Sequence, residues 1–301
     1  MLFSTDLKNK IAELIPDVVF DEPMSSHTTF KVGGPCDAFL DASAENLQTA
    51  IDFCKENEIS YLIIGNGSNL VCSDDGIRGF VISIGTKMNN VKIEGTEITA
   101  EAGIRLSRLA AMAAEENLGG LEFASGIPGN LGGALYMNAG AYGGEMKNVV
   151  KTVTFIENGS VVTKNIDELD FGYRETYFTK NDTVILSCTF KLMKKNHDDI
   201  IAEMEDYAER RRSKQPLEYP SAGSTFKRPE GMFAGKLIMD AGLRGYSVGD
   251  AQVSEKHCGF VINKGKATAK EIHRLIYDVQ EKVKELFGVT LEPEVIFIGD
   301  F

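Results

Sequence analysis

Residues 119–144 read GGLEFASGIPGNLGGALYMNAGAYGG and hold nine of the chain's 30 glycines. Glu122 is the only charge inside the stretch, and Glu145 stands just beyond it. Glycine this dense costs conformational entropy to order, so the backbone here must bend sharply and approach something closely. Its N–H groups are unobstructed, which suits a nest for a pyrophosphate or another acceptor. Leu131, Leu135, Tyr136 and Met137 are interleaved with the glycines, whereas a flexible linker would be polar and Gly/Ser-rich. The stretch reads as a buried loop lining a ligand, and it makes a large cofactor the first thing to look for.

Upstream, GNGSN (65–69) directly follows YLIIG (61–65), a short apolar run read as a buried strand. It lacks the lysine of a P-loop and is not the GxGxxG of a Rossmann turn. Its glycines still offer backbone donors, and Ser68 and Asn69 can add side-chain hydrogen bonds. Alone it reads as an ordinary tight turn. Paired with SGIPGNLGG (125–133), it points to a dinucleotide, and FAD fits better than NAD because the chain has no Rossmann fingerprint.

Outward from these loops the chain alternates strand and helix signals. Ser43 reads as the N-cap of a helix whose Leu47, Ala50, Ile51 and Cys54 form one apolar face. FVISIG (80–85) is a strand, and VKIEGTEITAEAG (91–103) alternates around Gly95-Thr96 as a hairpin. RLSRLAAMAAEEN (105–117) is helical. TVTFIENGSVVTK (152–164) is a second hairpin, with Asn158-Gly159 supplying the positive φ of a tight turn. The strand TVILSCTFKLM (183–193) precedes a helix, DDIIAEMEDYAERRRSKQ, that Pro216 stops. Thr268 with Glu271 is a capping-box signature. It opens a helix buried along Ile272, Leu275, Ile276, Val279, Val283 and Leu286, which Gly288 can end. VIFIG (295–299) closes the chain as an apolar strand.

At 301 residues two or three domains are expected. A net charge of −12 argues against nucleic acid or anionic membrane as the main partner. No apolar run reaches transmembrane length, and the start, MLFSTDLKNKIAELIPD, lacks the basic-then-apolar order of a signal peptide. Five cysteines without paired spacing fit free, mostly buried thiols in a reducing cytoplasm, not disulfides or a metal site.

Six motifs occur in order: HTTFKVGGP (27–35), GNGSN (65–69), SGIPGNLGGALYMNAGAYG (125–143), GYRET (172–176), SAGSTFKRP (221–229) and LEPEVIFIG (291–299). Together they resemble the UDP-N-acetylenolpyruvoylglucosamine reductase family over nearly the whole chain. The resemblance implies an α+β protein with the vanillyl-alcohol-oxidase-type two-subdomain FAD-binding fold and a smaller C-terminal α/β substrate domain. The implied units are 1–85 and 86–212 for the two FAD-binding subdomains and 213–290 for substrate. Residues 291–301 form a strand returning to the active site. The implied activity is NADPH-dependent reduction of an enolpyruvyl UDP-sugar through non-covalent FAD, with no metal and no obligate protein partner.

By the same resemblance FAD contacts fall on Gly65, Asn66, Gly67, Ser68, Asn69, Ser125, Gly126, Ile127, Pro128, Gly129, Gly132, Gly133, Asn138 and Gly140. Hydride addition to the enolpyruvyl alkene builds negative charge that spreads into the carboxylate. Arg174 would supply a bidentate fork for that carboxylate, Glu294 would help polarise it, in protonated form if buried, and Ser224 would protonate the carbanion. A serine is a weak acid, but a carbanion is a strong base, so geometry governs. Taken singly, Arg174 beside Tyr173 reads as a structural stacking residue, Ser224 as a turn residue and Glu294 as a solvated strand-edge carboxylate. Only their shared family motifs favour catalysis.

Lys214 is the candidate for a substrate phosphate, with Tyr173 and Lys227 as further pocket residues. Arg228 stands where some relatives carry Asn. Arg210, Arg211 and Arg212 are consecutive and cannot all face one ligand. His257 is read as a core histidine and His27 as a turn cap. The short span between Arg174 and the next strand resembles the branch of the family that lacks a tyrosine-bearing loop insertion. Two rival functions share these features: an alcohol-oxidising flavoenzyme of the same fold, and a binding module without turnover. The first often tethers flavin through His or Cys, but no His lies in the glycine-rich segments. The second needs no proton donor.

Overall fold

Strand periodicity and turn chemistry set two sheets, described in a computed structural model over residues 3–301; the first two positions of the 1–85 unit lie outside it. The first sheet has four strands in the order Val19–Pro23, Pro35–Asp41, Ile77–Ser83, Tyr61–Ile64. Its outer pair is antiparallel and the other two pairings are parallel. The second sheet is antiparallel throughout, in the order Ser160–Asn165, Val150–Glu157, Thr183–Lys191, Glu97–Glu101, Val91–Glu94. Both expected hairpins are present, and at the 157–160 turn Asn158 and Gly159 have φ of 50° and 77°. That is the left-handed pair which matches strand twist.

The helices Leu47–Glu56 and Leu106–Glu115 bury one face each, and one continuous core runs from Ile11 through both sheets to Leu192. Two local expectations shift. The helix begins at Leu47 with Asn46 at its cap, because Asn46 turns its side-chain oxygen back to the Ser43 N–H at 2.8 Å. The Tyr61–Ile64 strand is half-buried, since it forms an edge of its sheet; only Ile64 is fully covered.

A second core belongs to the C-terminal unit, where the Ala269–Phe287 helix packs on a three-stranded antiparallel sheet (Ser247–Val248, Ala251–Val253, Val261–Asn263). Thr268 and Glu271 form the capping box, and Gly288 ends the helix at φ 68°. Leu286, expected on the buried face, is half exposed because the helix has already run past the sheet. Phe30, Val32 and Val71 from the first unit enter this core. The His197–Lys214 helix spans the expected boundary at 212/213, and the chain leaves it at Gln215, just before Pro216.

The final strand, Ile296–Ile298, returns to pair in parallel with Leu70–Cys72, directly after GNGSN. This return brings the two ends of the molecule together at the site. All five cysteines are buried and unpaired. Among the described residues no helix is long and apolar enough to cross a membrane, and no cluster of His, Cys, Asp or Glu could hold a metal.

Candidate active site

The two glycine loops face each other. A Cβ built on Gly65 would lie 3.6 Å from the Asn130 side chain, and one on Gly129 would lie 3.3 Å from Ser68 Oγ. The N–H groups of Gly65, Asn66, Gly67, Ser68 and Asn69 donate to no other described residue, and neither do those of Gly126, Gly129 and Gly133. Buried backbone donors are rarely left unpaired in a fold, and of these Gly67 is buried and Gly65, Asn66, Ser68, Asn69 and Gly129 partly so. Two opposed runs of them make a groove for a ligand rich in acceptors, the chemistry of a dinucleotide pyrophosphate. Gly67 has a structural duty as well: at φ +60°, an added Cβ would strike the His27 carbonyl oxygen at 1.9 Å.

Several of the expected cofactor residues also make contacts within the chain. Gly132 packs on Ala102 and donates to its carbonyl at 2.8 Å. Gly140 is pressed against Gly144 and Glu145 in a two-residue pairing. The Ser125 hydroxyl donates to Glu122 O at 2.8 Å, Ile127 packs on the main core and Pro128 is exposed. Asn138 is buried with its side-chain amide fully engaged. The Asn69 amide donates across the molecule to Glu294 O at 2.8 Å.

Beside the groove lies a cavity of about 460 Å³ whose wall includes Arg174, Ser224 and Glu294. The Arg174 Nε donates to Glu294 Oε1 at 2.6 Å, with the two side chains 19% and 11% exposed. Burial pushes the Glu294 carboxyl above its ordinary value, although the Arg174 guanidinium and Lys227 pull the other way. Arg174 sits at φ 58°, a left-handed conformation that a non-glycine residue holds at a cost of about 1–3 kcal/mol. The surrounding bonds sustain that conformation, including a 3.4 Å contact from Arg174 Nη1 to Asn138 O.

Ser224 is exposed at the wall, preceded by Gly223 at φ +74° with open space where a Cβ would stand. Its neighbour Thr225 is clamped. The Thr225 carbonyl accepts from Glu294 N at 2.8 Å, and its hydroxyl accepts from Val261 N at 2.8 Å. Ser224 and Glu294 are therefore tied through the Thr225 backbone, and Glu294 and Arg174 through their side chains.

The remaining expected substrate residues divide. Tyr173 and Arg228 line the cavity; the Tyr173 hydroxyl accepts from Arg228 N at 3.2 Å, and the Arg228 guanidinium stacks 4.0 Å over the Phe233 ring. Lys214 and Lys227 do not line it. Lys214 is exposed at its helix end, and Lys227 pairs with Glu292 at 3.2 Å. Lys236, Arg244 and Lys256 occupy the wall instead.

His257 is also on that wall and not in the core. Its Nδ1 accepts from Gly259 N at 3.1 Å, which assigns the neutral Nε2–H tautomer, and burial lowers its pKa. His27 pairs with Glu22 at 2.8 Å and stacks on Phe39. Of the three arginines, Arg210 pairs with Asp206 and Arg212 with Glu209 on the exposed face. Arg211 turns inward, lies against Gly126 and has no ion pair or side-chain hydrogen bond among the described residues. It is a functional candidate that no local sequence signal separates from its neighbours.

Two facing subdomains, a groove of free backbone donors and a C-terminal unit that walls a cavity define a class. It is the FAD-dependent oxidoreductase with a vanillyl-alcohol-oxidase-type fold. A family model described as FAD binding domain matches residues 39–164, and one described as UDP-N-acetylenolpyruvoylglucosamine reductase, C-terminal domain, matches residues 215–298. The chain is 51% identical over 306 aligned positions to the UDP-N-acetylenolpyruvoylglucosamine reductase of Agathobacter rectalis, covering 97% of this chain and 98% of the relative. It is 50% identical to that of Clostridium novyi, covering 100% and 99%. The crystal structure of the reductase from Thermus caldophilus superposes with a TM-score of 0.81 at 33% identity, covering 94% and 98%. The chain belongs to the UDP-N-acetylenolpyruvoylglucosamine reductase family.

Proposed function

We propose that this protein reduces UDP-N-acetylglucosamine enolpyruvate to UDP-N-acetylmuramate, a step of peptidoglycan precursor synthesis, with NADPH as hydride donor. The observation that carries the reading is the largely buried Arg174–Glu294 pair, 2.6 Å apart, on the same cavity wall as Ser224. FAD bound beside this cavity would supply the hydride chemistry that links NADPH to the terminal alkene carbon of the substrate. The residues for holding it are the backbone donors of 65–69, Gly126, Gly129 and Gly133. The remaining chemistry belongs to side chains. Arg174 meets the substrate carboxylate, into which the developing charge spreads. Glu294, its carboxyl raised by burial and bonded to the Arg174 Nε–H, helps polarise that centre. Ser224 protonates the carbanion from the cavity side, with Gly223 leaving room beside it.

One cavity serves NADPH and then the sugar, so the two half-reactions occur in sequence. Lys236, Arg244 and Lys256 on its wall offset the charge of either nucleotide's phosphates. The ligands are small molecules, and the five unpaired thiols fit a reducing cytoplasm. The testing experiment is an anaerobic visible spectrum of the purified protein, with NADPH added and then the enolpyruvyl sugar. Flavin that bleaches with NADPH and recovers with the sugar is the expected result. Recovery only with oxygen would move the protein to the oxidase alternative.

A further inference from the structure

The cavity and the groove are joined by two asparagines whose positions, inside glycine-dense motifs, suggest cofactor binding. Asn138 is 1% exposed and sits at φ 46°, a left-handed conformation that asparagine tolerates. Its Nδ2 donates to Gly172 O at 3.0 Å and to Glu145 Oε2 at 2.8 Å, while its Oδ1 accepts from Lys147 N at 3.1 Å. Its own carbonyl accepts from Arg174 Nη1. The residue thus grips the chain two positions before Arg174 and also holds the guanidinium.

Asn69 fixes the main chain that carries the carboxylate. Its Nδ2 donates to Glu294 O at 2.8 Å, and its carbonyl accepts from Ile296 N at 2.9 Å, so it fixes the main chain at Glu294 and on through Val295. The same Nδ2 touches Met137 Sδ at 3.5 Å, and Met137 precedes Asn138 in sequence. The contacts close a ring: Asn138, Arg174, Glu294, Asn69, Met137 and back to Asn138.

We propose that Asn69 and Asn138 are positioning residues for the Arg174–Glu294 pair, not ligands of the cofactor. The inference rests on the reading of that pair as the carboxylate-handling centre. Glycine backbone holds the flavin, and these two amides aim the pair at the substrate beside it. A guanidinium released from its left-handed turn would drift by an ångström or more, and misplacement of that order costs about a hundredfold in rate.

The test uses full-length protein carrying Asn138→Ala, and separately Asn69→Ala at a less buried position. FAD affinity is measured by fluorescence titration, and each half-reaction by anaerobic stopped flow. Expected are FAD affinity and NADPH reduction within about threefold of wild type, and transfer to the sugar slowed by about 10- to 100-fold. In an Arg174→Ala background, Asn138→Ala should slow transfer no further, because residues acting through one contact are not additive.

An activity-independent readout accompanies these rates. The Arg174 Nε–H NMR signal, assigned by its loss in Arg174→Lys, should be slow to exchange in wild type and fast in Asn138→Ala with FAD still bound. FAD affinity falling as far as transfer, additive slowing in the double variant, or an unchanged Nε–H signal would each overturn the proposal. If wild type fails to reduce the sugar, the substrate reading falls, and the NMR signal still decides whether Asn138 holds Arg174.

Discussion

The groove and the cavity lie side by side yet offer a ligand opposite kinds of group. The groove presents backbone N–H groups of glycine-rich loops, with Arg211 as its inward-facing cation. The cavity presents titratable and cationic side chains: the Arg174–Glu294 pair, Lys236, Arg244 and Lys256. Backbone donors are held by the fold itself and suit a cofactor that stays in place. Side chains have charge that responds to neighbours, as the raised Glu294 carboxyl shows, and suit ligands that come, react and leave.

The largest expected effect lies in the cavity. Ser224→Ala should slow transfer to the sugar by about 10²–10⁴-fold, the range for a lost proton donor. Flavin reduction by NADPH and FAD affinity should stay near wild type. Stopped-flow traces showing equal damage to both half-reactions would make Ser224 a wall residue and erase the division of labour.

Next comes the groove's backbone. Gly67→Ala forces a Cβ against the His27 carbonyl at a positive φ and should destabilise the protein by about 1–3 kcal/mol or more. Chemical denaturation and the ratio of flavin to protein absorbance check it; full flavin content with unchanged stability would mean the loop accommodates a side chain. Arg211→Met is milder. Losing one charge-assisted contact to a cofactor anion should weaken FAD binding by about tenfold, read by fluorescence titration with both half-reactions intact once FAD is saturating. Unchanged affinity would leave the groove an all-backbone site.

The smallest effect is one of pH. Burial raises the folded-state pKa of Glu294 above the unfolded value of about 4.3. Below the unfolded value both states are protonated and no penalty exists. As pH rises through the folded value, the native state bears the cost of ionising a buried acid, so stability falls. Glu294→Gln does not titrate, so its melting temperature relative to wild type should climb between pH 4 and pH 7. A flat difference would show that pairing with Arg174 cancels burial.

Local chemistry made much of this legible. The Thr268–Glu271 capping box, the Asn158-Gly159 turn and the alternation in both hairpins act within a few residues, and each forms as read. The Ser43 cap shifted by one turn because Asn46 competes for the same backbone. Arg211 was hidden because only the direction of the helix face distinguishes it from Arg210 and Arg212. His257 and Lys214 exchanged expected places relative to the cavity, since nothing near either in sequence reports which side of the C-terminal sheet or helix meets the first two subdomains.

By itself the sequence determined most element types and the family motifs in which Arg174, Ser224 and Glu294 stand. All of these depend on residue type and short spacing. Tertiary structure alone decided that Asn69 would reach Glu294 across 225 positions, that Asn138 would hold Arg174, and that the last strand would dock beside GNGSN. Such contacts are chosen by how buried surfaces pack and by the need to satisfy each buried polar group, and no pattern along the chain records them.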